Sequence, residues 1–172
     1  MRQMRIGVAS LIAGLVLAAS ALAAGCGNGD DKNAGRAQGS ETAEAKAQYI
    51  ARGDAVCDEF RAKRGKLVAA LDRAGSSGDT KQLAKAVKQL GDASQKTYED
   101  FAAIPKPSGD VAVLNSYLDA QHQLTRTLNR AADAYARGDV QGGNATLDSN
   151  KALADRSQST ARRYGFRICG SG

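Results

Sequence analysis

From about residue 45 to residue 164, apolar residues recur at alternating spacings of three and four, and strand-like alternation is absent. This spacing puts apolar side chains on one face of an α-helix. Three breaks divide the region into four segments: the GSSG run at 75–78, the prolines at 105 and 107, and Gly138. Because helices joined by short turns pack as antiparallel neighbours, the sequence predicts an all-α domain over residues 45–172, an up-down-up-down antiparallel four-helix bundle.

The predicted helices carry signals for where they begin. Asp79, followed by Gln82 three residues later, has the spacing of a capping box at the start of the second helix. Ser108 or Asp110 is placed to cap the third helix after the two prolines. These signals predict both starts to within a few residues.

The fourth segment is the least regular of the four. Gly142 and Gly143 would each cost about 1 kcal/mol inside a helix relative to alanine. The sequence therefore leaves open whether this helix begins near Val140 or only at Asn144.

The N-terminus has the organisation of an export signal. Arg2 and Arg5 precede an apolar run at 6–24, and the run stops at LAAGC, residues 22–26. This ending resembles the bacterial lipobox, in which the cysteine after the cleavage site receives a diacylglyceryl group. We therefore expect a lipoprotein signal peptide at 1–25 and a lipid attached to Cys26, which would anchor the chain to the bilayer.

Two other interpretations of the leader stay open. Ordinary secretory cleavage after the ALA at 21–23 would leave Cys26 as a plain thiol, and an uncleaved leader would act as an anchor, although the run is short for a spanning helix. All three interpretations place the domain outside the cytoplasm.

The segment after the leader has the composition of a linker. Residues 26–44 contain no large apolar side chain, so they cannot bury a core and are predicted to form a flexible tether. Removal of Arg2 and Arg5 with the leader lowers the net charge from +6 to +4. Since the remaining charges are interspersed, nucleic acid is not expected as a partner.

The three cysteines predict one disulfide. If Cys26 carries lipid, Cys57 and Cys169 remain, and two such thiols in an oxidising compartment are expected to pair. A left-handed turn at Gly165 would let the tail return along the bundle, with Phe166 and Ile168 covering its flank. A redox-active pair is the alternative, but Cys-x-x-Cys spacing is missing.

The sequence offers little for catalysis. His122 is the only histidine, so its Asp119-x-x-His122 pairing cannot supply the repeated carboxylate and histidine ligands of a di-iron bundle. A Gly-x-Ser-x-Gly elbow is also missing. We expect no enzyme activity, no metal and no cofactor.

An alternative function is the carriage of a small apolar or lipid ligand between the helices. The aromatic residues that would line such a cavity are Tyr49, Phe60, Phe101 and Tyr135, with Tyr98 and Tyr117 as further candidates. Ordinary core packing explains aromatics at helical spacing equally well. The tripeptides Arg52-Gly53-Asp54 and Arg137-Gly138-Asp139 match an integrin motif and are interpreted as chance.

Tyr49-Ile50, Cys57 and the ending YGFRICG at 164–170 together resemble uncharacterised small lipoproteins of high-GC Gram-positive (actinobacterial) bacteria. The resemblance implies a location and no activity. We therefore expect a lipoprotein on the extracytoplasmic face of the cell membrane, with a non-enzymatic helical module that binds an envelope protein or polymer.

Overall fold

A computed structural model describes residues 33–171, and this part of the chain is helical without a β-strand. The predicted signal peptide and Cys26 lie outside the described residues. The elements are α1 (Asn33–Ser77), α2 (Thr80–Ala102), a 3-10 turn (Ser108–Asp110), α3 (Val111–Ala136), α4 (Val140–Asp148) and α5 (Asn150–Tyr164). The all-α prediction is confirmed.

Helix α1 is longer than the sequence indicated. It begins at Asn33, so it covers the part of the predicted tether from 33 to 44. The stretch contains no proline, and its alanine, glutamate and glutamine residues favour a helix. The side chains from 42 to 45 are exposed, and the first buried side chain of the described part of α1 is that of Tyr49.

The first break and its cap follow the predicted pattern. The chain leaves α1 through Gly78, whose φ of 70° is the left-handed conformation that glycine adopts without steric cost. Asp79 then caps α2, because its carboxylate accepts hydrogen bonds from the backbone N–H groups of Lys81 and Gln82 at 2.9 and 3.1 Å. The side-chain amide of Gln82 donates to the same carboxylate at 2.9 Å. Both predicted residues therefore stabilise this helix start.

The start of α3 differs from the predicted cap. Ser108 and Asp110 lie in the 3-10 turn, and Asp110 precedes α3 without a capping hydrogen bond from its side chain. The Asp110 carboxylate instead accepts a hydrogen bond from the hydroxyl of Tyr164 at 2.7 Å. The Asp110 side chain, which the local sequence predicted to cap α3, is therefore bonded to a residue 54 positions away in the chain.

The fourth predicted helix consists of two short helices, α4 and α5, with Ser149 between them. Helix α4 begins at Val140, so the later start at Asn144 is wrong. Asp139 caps it by accepting from the Gly142 N–H at 2.8 Å. A Cβ at Gly143 would lie 2.5 Å from the Tyr135 ring, so this glycine lets the ring pack directly on the backbone.

The buried apolar residues form two clusters. Helix α2 packs against α1 and α3, and α3 also packs against α4 and α5. The first cluster consists of Tyr49, Phe101, Leu114, Tyr117, Leu118, Ala161, Tyr164 and Phe166. The second cluster consists of Ala84, Val87, Ala131, Ala132 and Tyr135.

Candidate functional site

The C-terminal tail turns back from α5 as the sequence predicted. Gly165 has a φ of 116°, in the left-handed region. The backbone N–H of Phe166 donates to the carbonyl of Ala161 at 3.0 Å, and that of Gly165 donates to Arg162 at 3.1 Å. This pair of bonds is a Schellman motif, and it directs Phe166 into the first cluster.

A disulfide and a carboxylate fix the tail to α1. Cys57 and Cys169 are bonded, with their Cα atoms 5.3 Å apart, which confirms the predicted pair. One turn earlier on α1, the Asp54 carboxylate accepts hydrogen bonds from the backbone N–H groups of Arg167, Ile168 and Cys169 at 3.0, 2.9 and 3.1 Å. The tail is therefore held covalently and by three charge-assisted hydrogen bonds.

Gly53 gives the tail room to approach α1. A Cβ at this position would lie 2.6 Å from the Phe166 ring and 2.7 Å from the Phe101 ring. The tripeptide Arg52-Gly53-Asp54, interpreted from sequence as a chance match, thus contains two of the residues that receive the tail. The available signal was the spacing, because Asp54 and Cys57 are three residues apart and lie on one helix face.

Of the four candidate cavity liners, only Tyr49 and Phe101 come together. Tyr49 and Phe101 pack edge to face, with their ring centroids 5.8 Å apart. Tyr135 lies in the second cluster, and its hydroxyl donates to the Asn144 side chain at 2.6 Å. Phe60 is half-buried and lines a separate groove of about 190 Å³ between α1 and α2.

The other two aromatic candidates occupy different surroundings. Tyr117 is buried in the first cluster, where its ring lies 5.3 Å from that of Phe101. Tyr98 is half-buried and stacks on His122, with ring centroids 5.0 Å apart and planes 15° from parallel. His122 is thereby placed against an aromatic ring, while Asp119 is exposed.

Two buried phenols in the first cluster have different environments. The Tyr49 hydroxyl is buried and has no hydrogen-bond partner among the described residues, and burial raises the pKa of this phenol to about 12. Burial also raises the pKa of Tyr164, and the hydrogen bond to Asp110 adds to the increase. Both groups are therefore neutral at physiological pH.

An open groove of about 550 Å³ runs between α3 and the junction of α4 with α5. Its polar lining comprises Gln123, Arg126, Thr127 and Arg130 on α3, and Ser149, Asn150 and Arg156 on the opposite side. None of the described residues that line it is acidic. The sequence did not indicate this groove, because its residues come from two segments that only the tertiary fold brings together.

Hydrogen bonds fix the walls of this groove. The Gln121 amide on α3 donates to the Ser157 hydroxyl on α5 at 2.7 Å, and Ser157 is buried. The buried Thr127 hydroxyl donates to the Gln123 carbonyl and accepts from the Arg130 guanidinium, both at 3.0 Å. One guanidinium is therefore oriented by a side chain of the groove wall.

Residues 33–171 contain no group of three His, Cys, Asp or Glu side chains placed to hold a metal ion. In the same part of the chain, every helix is too short or too polar to cross a membrane. The chain matches no protein-family model, and no curated protein or solved structure shows significant similarity to it. The resemblance to actinobacterial lipoproteins therefore stays a prediction.

Proposed function

We propose that this chain is a membrane-anchored extracytoplasmic lipoprotein whose helical domain is a non-enzymatic binding module. The observation that carries the proposal is the Cys57–Cys169 disulfide. Structural disulfides persist in oxidising compartments and are rare in the cytosol, so the bond supports export. The lipobox at 22–26 supports attachment to the bilayer through an acylated Cys26.

We further infer an up-down-up-down bundle in which α4 and α5 together form the fourth rod. The first cluster supports this topology, because Tyr49 lies in the first half of α1 and Leu114 near the start of α3. Phe101 and Tyr164 in the same cluster lie at the ends of α2 and α5. Such a contact between starts and ends is what antiparallel neighbours produce.

Binding, in preference to ligand carriage, is supported by the distribution of side chains. The arginine-lined groove is open to solvent, whereas Tyr49, Phe101 and Tyr135 are buried in packed clusters. The proposed partners are the lipid bilayer at Cys26 and an envelope protein or polymer at the domain surface. Nucleic acid is not proposed, since the net charge without the leader is only +4.

Intact mass spectrometry of membrane-extracted protein tests the anchor and the disulfide together. We expect a chain that begins at diacylated Cys26 and gains two hydrogen atoms on reduction. A Cys26→Ser variant is the matched control, because it should lose the acyl mass while keeping the disulfide. Wild-type protein without acyl mass, recovered in the soluble fraction, would contradict the proposal.

A further inference from the structure

The geometry points to the groove between α3 and α5 as a binding site for a phosphate group. Arg126, Arg130 and Arg156 line it from two sides. Guanidinium groups present planar, paired donors that match phosphate oxygens, and they keep their charge at any physiological pH. Three of them around one groove favour an anionic ligand.

Some of the cations on α1 and α2 are paired with an acidic side chain on the same helix. There, Arg61 pairs with Asp58 at 2.6 Å and Lys96 with Asp100 at 2.8 Å, each one helical turn apart. Arg126 and Arg130 also lie one turn apart, but both are cations. Like charges at this spacing weaken a helix, and a bound anion between them would remove the repulsion.

One guanidinium of the groove is held in place before any ligand binds. The Thr127 hydroxyl holds the Arg130 guanidinium at 3.0 Å, and Thr127 itself is buried. The bond between Gln121 and Ser157 fixes α3 relative to α5 beside the groove. A donor that is already oriented loses less conformational entropy on binding, so Arg130 favours a defined site over a diffuse positive surface.

The remaining lining residues favour a phosphate with a small polar substituent. Gln123, Ser149 and Asn150 add neutral hydrogen-bonding groups beside the three arginines. The volume of about 550 Å³ is in the range of sites for small ligands. The same chemistry is supplied by a soluble phosphate ester and by the headgroup of an anionic phospholipid.

This inference deepens the proposed function, because it gives the binding module a ligand class. The two fail separately: an unacylated Cys26 would remove the proposed location without affecting the groove, and a groove that ignores phosphate would leave the anchored module intact.

The test is NMR of the arginine Nε–Hε groups in full-length protein in neutral detergent micelles. One titration uses inorganic phosphate, and a second uses micelles containing phosphatidylglycerol, with phosphatidylcholine as the neutral comparison. We expect saturable shifts at Arg126, Arg130 and Arg156. A response to inorganic phosphate identifies a soluble ligand, and a response to phosphatidylglycerol alone identifies a lipid headgroup.

Variants separate the groove from general surface charge. Arg126→Ala combined with Arg156→Ala should weaken binding by about tenfold or more, which corresponds to about 1.4 kcal/mol. Arg64→Ala also removes one positive charge, but from the exposed face of α1. This control should leave phosphate binding unchanged. Because the altered side chains are exposed, chemical denaturation should show an intact fold. Unsaturable shifts, shifts of equal size at Arg64, or wild-type binding by the double variant would overturn the assignment.

Discussion

At the scale of single residues, Gly53 shows how a side chain that is absent controls the core. The rings of Phe101 and Phe166 lie against the α1 backbone in the space that a Cβ would occupy. Glycine inside a helix lowers stability relative to alanine. At Gly53 this loss is offset by the packing of the two aromatic rings against the backbone. Gly65 on the same helix has open space where its Cβ would lie, so no packing contact offsets its low helix propensity.

The two glycines therefore predict opposite effects of the same substitution. Gly53→Ala should lower the free energy of unfolding by about 1 to 3 kcal/mol, because the rings must shift within a packed cluster. Gly65→Ala should raise it by about 0.5 to 1 kcal/mol through helix propensity alone. Urea denaturation followed by circular dichroism measures both. A stabilising Gly53→Ala would mean that the tail does not pack against α1 as described.

Asp54 shows why sequence reasoning found only part of the tail attachment. Cysteine pairing needs no geometry, because few partners exist, so Cys57 and Cys169 were predictable by elimination. Many carboxylates and carbonyl groups could accept from the three tail N–H groups. The actual acceptor, Asp54, lies 113 to 115 positions from its donors. The three-residue spacing placed Asp54 on the same helix face as Cys57, but it did not identify the tail N–H groups as its donors.

At the scale of helices and the tail, periodicity and turn chemistry predicted most of the boundaries. Asp79, Gly138 and Gly165 act locally, through a cap or a left-handed turn, and all three lie at the predicted breaks. The errors have tertiary causes. Asp110 bonds to Tyr164 in place of a cap, and packing of Tyr135 makes Gly143 tolerable inside α4.

The disulfide should contribute much of the stability of these elements. It joins residues separated by 112 positions, and closing so long a loop is worth about 4 to 5 kcal/mol in the chain-entropy model. We expect the Cys57→Ser/Cys169→Ser variant to lose free energy of unfolding in that range, measured by denaturant titration. The native fold should persist in water, because Asp54 and the aromatic cluster still hold the tail.

Cys26→Ser, which keeps the bridge, serves as the control for the loss of a cysteine. Reduction of the wild-type protein should reproduce the behaviour of the double variant. If the double variant lost less than about 1 kcal/mol of its free energy of unfolding, the unfolded chain would already be compact, and closing the disulfide loop would cost it little entropy.

At the scale of the whole molecule, the buried phenols link stability to alkaline pH. The pKa of Tyr49 rises from 10.0 in the unfolded chain to about 12 in the folded protein, and those of Tyr117 and Tyr164 are also raised, mainly by burial. Below pH 10 both states hold the protons and the stabilisation is complete. Above it the unfolded chain loses protons that the folded protein retains, so stability falls as pH rises toward 12.

Thermal unfolding between pH 8 and 12 measures this dependence. We expect a steady decrease in melting temperature that starts near pH 10, which is the unfolded value. Tyr49→Phe should make the decrease shallower, and it should not destabilise the protein at neutral pH, since the hydroxyl has no partner among the described residues. An unchanged slope in this variant would show that the Tyr49 phenol is not buried in solution.

The closure between Cys57 and Cys169 also decides how the domain responds to mechanical force. Tension applied between the two ends of the chain passes from α1 through the sulfur bridge to the last residues, so the segment between the cysteines carries none of the load. Among the described residues, only those before Cys57 and after Cys169 can be extended under such a pull. Helices α2 to α5, including the arginine groove, are therefore shielded from any stretching of the chain that leads into α1.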